Sequence, residues 1–393
     1  MPVIRVVPES VACESTVQSD IEEGIAAVMK DVVEGLTKPL TAEEKSPKPK
    51  TEKPPKIAFR GSLQEVNRYF YGKGWTDGLP IIPPTEAAVA EMLTGTDLPS
   101  DHVVAKVIPR LGKATIEKIA INAVMAGALP THMPFLIAAV QAVSDPKSRF
   151  DTFEVSTGSW APFFAINGPI RDQININCSS GALSPGNIAN SAMGRALGLI
   201  VKNIGGARKA IEDMGVFGDP LKWSLVIGEN EEESPWESLS VERGFKKDDN
   251  TITLFLPNTY IQSVPRETSA KGILDHLAAM GAGGMSCLLV MPSHAKILSA
   301  EGYTKAKVKR YIAEHVAPPI PTIELAQTTP RRTTMDIDNL MILVAGGPGA
   351  WSSLLRSVGG FGNSLVSKKI ELPKNWDKLV AKYKDVVPHY EAY

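Results

Sequence analysis

Apolar residues near the amino terminus recur at three- and four-residue spacings: Ile21, Ile25, Val28, Val32 and Leu36. That spacing predicts a helix over residues 20–40 with one apolar stripe. The pattern stops at Pro39, and residues 43–56, EEKSPKPKTEKPPK, hold five lysines, four prolines and no large apolar residue. This stretch reads as an exposed, semi-extended linker. A lone helix ahead of a linker cannot bury its own stripe, so residues 1–42 are expected to dock on the main body or on another chain.

Beyond Ile57 the pattern becomes that of a folded body. Asp77-Gly78 marks a turn, Pro80 and Pro83-Pro84 hold an extended segment, and Thr85 is a good N-cap for a helix over residues 86–93. Thr115 caps a helix through Ile116, Ile119, Ala120, Ala123 and Val124 to Gly127. Thr131 opens a second, from Met133 to Val143, so the two make an αα-hairpin around Ala128-Leu129-Pro130. Strand-like text follows in STGSWAPFFAINGPI, then a polar loop from Asn177 to Leu183. Ser184 as N-cap with Pro185 behind it predicts a helix start there, and its apolar positions run to Gly205-Gly206. Strands are expected at 223–227 and 251–256. From about residue 269, helices and strands alternate: helix 270–280, the glycine loop 281–284, strand 286–291, helices 293–300 and 305–315, and a proline-rich crossing at Pro318, Pro319 and Pro321. Strand 340–345 comes next, then the Gly346–Gly349 loop and another helix with Ser352 and Ser353 in its first turn. The expected fold is mixed α/β, a layered body with an αα-hairpin and an N-terminal docking helix. The expected division is residues 1–42, the linker 43–56, a first α/β domain over 57–265 and a second over 266–393.

Composition narrows the function classes. The chain has 393 residues, 43% of them apolar, enough to build substantial cores. Lysine plus arginine number 42 against 43 acidic residues, so no basic field is available for nucleic acid or a membrane surface. Cys13, Cys178 and Cys287 form no CxxC pair and no disulfide framework. The start of the chain has no apolar signal region, and no apolar run approaches the ~18 residues needed to cross a bilayer; the longest candidates, such as Met285 to Pro292, suit a buried strand. A cytoplasmic protein is expected. Glycine (32) and proline (30) are abundant and concentrate in loops that feed helix starts, which directs attention to those loops.

Phosphate-loop, zinc-protease, nucleophile-elbow and calcium-loop signatures do not occur, and no cofactor is indicated. Three loops remain as candidates. In the first, Cys178, Ser179, Ser180, Ser184 and Asn187 precede a helix, where unpaired N–H groups favour an anion and a thiol can have a lowered pKa; a turn plus a helix cap is the plainer reading. In the second, Gly346, Gly347 and Gly349 with Ser352 follow a buried strand, the usual place for ligands in α/β sheets; a tight turn alone is the alternative. The third puts His294 in the first turn of a helix, able to carry a proton near neutral pH, or to serve only as a surface or capping residue. His132 has a similar position. Asn167 and Arg171, around Gly168-Pro169, could bind a carboxylate or phosphate, although a surface pair of Arg171 with Asp172 is the simpler expectation. Arg195 is a second candidate for holding charge. The acidic run Glu229 to Glu233, interrupted by Asn230, is expected to be a solvated loop.

Several segments resemble a known family. GWTDGLPIIPPTEAAV (74–89), ATIEKIAINAVMAGALP (114–130), STGSWAPFFAINGPIRD (156–172), GALSPGNIANSAMGRALGLIVKNIGGA (181–207) and ENEEESPWESLSVERGF (229–245) are similar to the large domain found with UGSC-type selenoproteins. Residues 6–44 resemble the tail of a UGSC domain itself. The chain carries no selenocysteine- or cysteine-Gly-Ser-Cys motif. The resemblance implies a hetero-oligomer in which a small UGSC-type subunit supplies thiol or selenol chemistry. The present chain would be the large subunit, acting on a small anionic or carbonyl-containing molecule. A thiol-independent lyase or hydratase, and a non-catalytic ligand-binding or scaffold subunit, are the competing expectations.

Overall fold

The amphipathic N-terminal segment is helical, with α1 spanning Gln18–Thr37. The structure, a computed structural model, describes Arg5 and residues 7–8, 17–46, 57–280, 285–315, 337, 340–358 and 365–388. Cys13, the 281–284 loop, the proline-rich crossing and residues 47–56 of the expected linker lie outside the described residues. The chain divides into two compact units, Met1–Arg60 and Gly61–Tyr393.

In the first unit, Arg5 holds the end of α1. Its guanidinium donates to the carbonyls of Gly35 (3.1 Å), Lys38 (2.7 Å) and Pro39 (3.1 Å) and pairs with Glu44 at 2.9 Å. A helix end leaves carbonyls unpaired at the negative pole of its dipole, so a cation with several donors is the complementary group. Residues 42–45 form a helical turn closed by a Thr41–Glu44 capping box, where extended linker was expected. The apolar stripe of α1 is divided: Ile21, Val28 and Val32 are half-buried, while Ile25, Met29, Val33 and Leu36 are exposed.

The second unit is mixed α+β. Helices α2 (Leu63–Gly72) and α3 (Glu86–Leu93) lead to an antiparallel ribbon, β1 (Val103–Val107) with β2 (Gly112–Thr115). The expected helix pair follows as α4 (Ile116–Ala126) and α5 (Met133–Val143). Thr115 accepts a bond from the Lys118 amide and Gly127 ends α4 at φ 81°, a conformation open to glycine. After β3 (Phe163–Asn167) comes α6 (Ile188–Ile200), then β4 (Val226–Gly228), β5 (Thr251–Phe255) and β6 (Thr259–Ser263). The chain continues through α7 (Ala270–Ala279), β7 (Ser286–Val290), α8 (Pro292–Ala300), α9 (Lys305–His315) and β8 (Leu340–Val344). It closes with β9 (Ser352–Arg356), β10 (Val366–Lys369) and α10 (Trp376–Tyr383).

Two four-stranded sheets result, ordered β10-β5-β3-β4 and β6-β9-β7-β8, with β3/β4 and β7/β8 parallel. Alternation along each strand sorts the core into layers. Phe164 and Ile166 of β3 pack with α4, α5 and α6. Phe163 and Ala165 turn the other way, onto Cys287, Leu289, Met341, Leu343 and Leu355 of the second sheet. The far face of that sheet, Leu288, Val290, Ile342, Val344 and Leu354, packs with α7, α8 and α9. The order is therefore helix, sheet, sheet, helix, and strands covered on both faces read as continuous apolar runs. Each fully buried aromatic or aliphatic side chain contributes roughly 1.5–3 kcal/mol, and Phe135, Phe163 and Phe164 are among the largest.

Three local expectations are corrected. α6 starts at Ile188 behind Asn187, and Ser184-Pro185-Gly186 forms a turn ahead of it. Ser352 and Ser353 lie in β9, because that segment fills the gap between β6 and β7 and its backbone pairs with both. Strands also cross residue 265: β6 joins the second sheet through β9, and β10 joins the first through β5.

Candidate functional site

The serine loop and the glycine loop, about 165 residues apart in sequence, meet at the carboxyl ends of β7 and β8. The Gly346 amide donates to the Cys178 carbonyl at 2.9 Å. Gly346 has φ 93°, and a Cβ on Gly347 would stand 1.8 Å from Ser180 Oγ. Glycine is required at both positions, one for its dihedral and one for the approach. Between the loops lies a cleft of about 650 Å³ lined by Ser180, Ser184, Gly346, Gly347, Gly349 and Ser353. Leu289 and Met291 of the β7 end, Tyr260 and Gln262 of edge strand β6, Ser224 and Trp351 complete its walls. The volume suits a small ligand, and hydroxyl groups over an apolar wall suit a molecule with a polar head.

The serine loop is built on a residue that the pattern reading missed. Asn190, buried in the first turn of α6, accepts from the Asn177 amide (2.9 Å). It also donates to the carbonyls of Asn177 (3.0 Å) and Val226 (3.0 Å). One side chain thus ties loop, helix and β4 together. Asn177 adds a local turn by accepting from the Ser179 amide at 2.9 Å. The available signal was a lone amide among Ile188, Ala189, Ala192 and Met193. Ser179 and Asn187 do not line the cleft; Asn187 caps α6 through its carbonyl, which accepts from Ser191.

Cys178 sits behind this loop, half-buried. Burial pushes its thiol up, against the pull of nearby Arg171. This corrects the expected lowered pKa: the α6 start lies ten residues on, and the local environment desolvates the thiolate. Cys287 is fully buried inside β7 and its thiol is likewise raised.

His294 is in the first turn of α8 but is not at the cleft. It is buried, with Nδ1 3.4 Å from Ser352 Oγ. Strand alternation puts Ser353 on the inter-sheet face with Leu355 and Ser352 on the helix face with Leu354. His294 and Ser352 are therefore paired behind the sheet. Burial, and to a lesser degree His276, lowers the His294 pKa, so its ring is neutral at pH 7. His132 is also buried, accepts from the Leu129 amide at 3.1 Å and is pushed down to about 3 by burial.

Asn167, Arg171 and Glu229 form an internal network, which neither the ligand-binding nor the surface expectation describes, while Glu232 and Glu233 are exposed, as expected of a solvated loop. Arg171, 3% exposed, donates to the Glu229 carbonyl (2.7 Å) and binds Glu232 through both terminal nitrogens (3.1 and 2.7 Å). Asn167 donates to Glu229 (2.7 Å) and Glu231 (2.9 Å). Glu229, expected in solvent, is fully buried and accepts from Lys305 (3.1 Å) and the Leu239 amide (2.7 Å). Burial of so many charges is tolerable only because each is paired. Arg195 is committed to Asp77 (2.7 and 3.0 Å) and the Pro80 carbonyl (2.7 Å).

Among the described residues, no three of His, Cys, Asp and Glu are grouped to hold a metal ion, and no helix is long and apolar enough to cross a membrane. No family model, curated protein or solved structure matches the chain.

Proposed function

We propose that the chain is the large subunit of a cytoplasmic enzyme and binds a small anionic or carbonyl-containing molecule in the cleft between the Ser180–Ser184 and Gly346–Gly349 loops. One observation carries this reading: two loops from distant parts of the chain converge there, held by the Gly346–Cys178 hydrogen bond and the Gly347–Ser180 approach. The walls offer the hydroxyls of Ser180, Ser184, Ser353 and Tyr260, donors that can orient a carboxylate or a carbonyl; the Ser224 hydroxyl already donates to the Asn190 carbonyl at 2.5 Å. The reacting thiol or selenol belongs, in this reading, to a small UGSC-type partner. Its support is twofold: the resemblance of the sequence segments, and a cleft whose described lining has no thiol, imidazole or carboxylate. The exposed residues Ile25, Met29, Val33 and Leu36 of α1 are the surface that such a partner would cover.

Purification of the native protein under mild conditions tests the reading. The expected result is a second, smaller polypeptide carrying a reactive thiol or selenol, and a small molecule released on denaturation and identified by mass spectrometry. A stable single-polypeptide species that releases nothing would overturn it.

A further inference from the structure

Gln262, Ser353 and Leu289 form one row across β6, β9 and β7, because Ser353 is the cross-strand partner of both neighbours. All three line the cleft between the serine and glycine loops. That cleft has two levels. Ser180, Ser184, Tyr260 and Trp351 at its rim are exposed, whereas Leu289, Met291 and Ser353 form a buried floor, Ser353 at 8% exposure. Ser353 is the one buried hydroxyl among the described lining residues, and it makes no hydrogen bond to another described residue. A buried hydroxyl without a partner is costly, so a floor that keeps one open suits a ligand that supplies the partner. The described lining also has no Asp, Glu, Lys, Arg or His. An ion resting on this floor would lose its hydration with no counter-charge to offset the loss. No helix N-terminus compensates, since α6 starts at Ile188, behind the turn at 184–186. Cys178, behind the same loop, shows the consequence: burial pushes its thiol up even with Arg171 near.

On the reading that this cleft is the ligand site, we infer that its ligand is an uncharged carbonyl compound with an apolar body, and not an anion: the carbonyl oxygen accepts a hydrogen bond from Ser353 and the body lies on Leu289 and Met291. Gln262, beside Ser353 in the row, has both a donor and an acceptor and carries no charge. A carboxamide head therefore complements the row best, with its oxygen on Ser353 and its N–H donating to the Gln262 side-chain carbonyl. A head of this kind satisfies the open hydroxyl without bringing an unpaired charge onto the apolar floor.

Ligand-observed NMR titrations of the full chain at pH 7.5 with hexanamide, hexanoate and hexylamine test the inference, because the three share an apolar body and differ in the charge of the head. Hexanamide is expected to bind at least tenfold more tightly than either ion. Ser353→Ala should weaken hexanamide at least fivefold and leave the melting temperature of the unliganded protein unchanged, since the hydroxyl has no described protein partner to lose. Equal or tighter binding of either ion would overturn the inference; if Ser353→Ala weakens that ion, the cleft remains a ligand site of another class. Hexanamide binding that Ser353→Ala does not weaken would overturn it as well. No detectable binding of any of the three would overturn both the inference and the reading of this cleft as the ligand site.

Discussion

Replacing Glu154 by glutamine tests how burial and charge balance at a buried carboxyl that faces Lys222 at 3.7 Å. The carboxyl follows the short helix Phe150–Phe153 and is almost fully buried. Burial raises it from 4.5 to about 7, Lys222 pulls it down and Asp213 pushes it up. In the unfolded chain the ordinary value applies, so between pH 4.5 and 7 the folded state binds more protons than the unfolded one. The free energy of unfolding falls as pH rises through that window and levels off above it. The gap corresponds to about 3 kcal/mol, all of it present below pH 4.5. Glutamine has the shape of the protonated acid and does not titrate, and Lys222 keeps Asp213 as its counter-ion. The variant is expected to match the wild type at pH 4.5 and to exceed it by about 3 kcal/mol at pH 8.5. Urea unfolding at both pH values, followed by tryptophan fluorescence, measures the difference between differences and removes all other titrating groups from the comparison. A stability gap that does not change with pH refutes the reasoning. So does a variant less stable at pH 8.5, because the Lys222 ion pair would then outweigh burial.

Removing the Glu229 carboxylate by Glu229→Ala leaves buried Lys305 with only its longer contact to Glu242 at 3.8 Å and strands the Leu239 amide; a loss of about 3 kcal/mol is expected, and a loss below 1 kcal/mol in chemical unfolding would contradict it. Gly347→Ala places a Cβ 1.8 Å from Ser180 Oγ, which should cost about 1–3 kcal/mol. Adding Ser180→Gly should recover more than half of that in thermal melts, and no recovery would separate the two loops. Cys178, its thiol raised by burial, should react with iodoacetamide more slowly at pH 7.5 than a cysteine in a short peptide, with the half-reaction pH displaced upward; faster alkylation than the peptide would restore the activated-thiol reading.

How much of this was legible along the chain differs by level. The αα pair, with Thr115 as cap and Gly127 as stop, follows from local chemistry: a hydroxyl at an N-cap and a left-handed glycine act within one turn of helix. The buried runs at 286–290 and 340–344 were recognisable because both faces of the strand are covered. Strands of mixed polarity were not. Thr259–Ser263 and Ser352–Arg356 have mixed polarity, and only the neighbours they pair with make them strands.

At the candidate sites the division is sharper. Glycine and serine clusters pointed to two loops, since small residues at a strand exit and ahead of a helix are visible as composition. Their meeting, and the exclusion of His294 and Ser352 from the cleft, depended on which face of β9 each side chain takes. Arg171, Asn167 and Glu229 could be read only as polar residues; the fold decided that Arg171 is paired with Glu231 and Glu232, that Glu229 is paired with Lys305, and that Asn167 bonds to Glu229 and Glu231. Glu154, Asp213 and Lys222 carried no motif at all, because an elevated carboxyl arises from desolvation and from charges brought close by folding. The sequence by itself therefore determined the local elements, through capping, glycine dihedrals and apolar period, all of which act over a few residues. Tertiary structure alone decided which polar groups are committed to one another and which are left open in a cleft, because burial and charge pairing are properties of residues far apart in the chain.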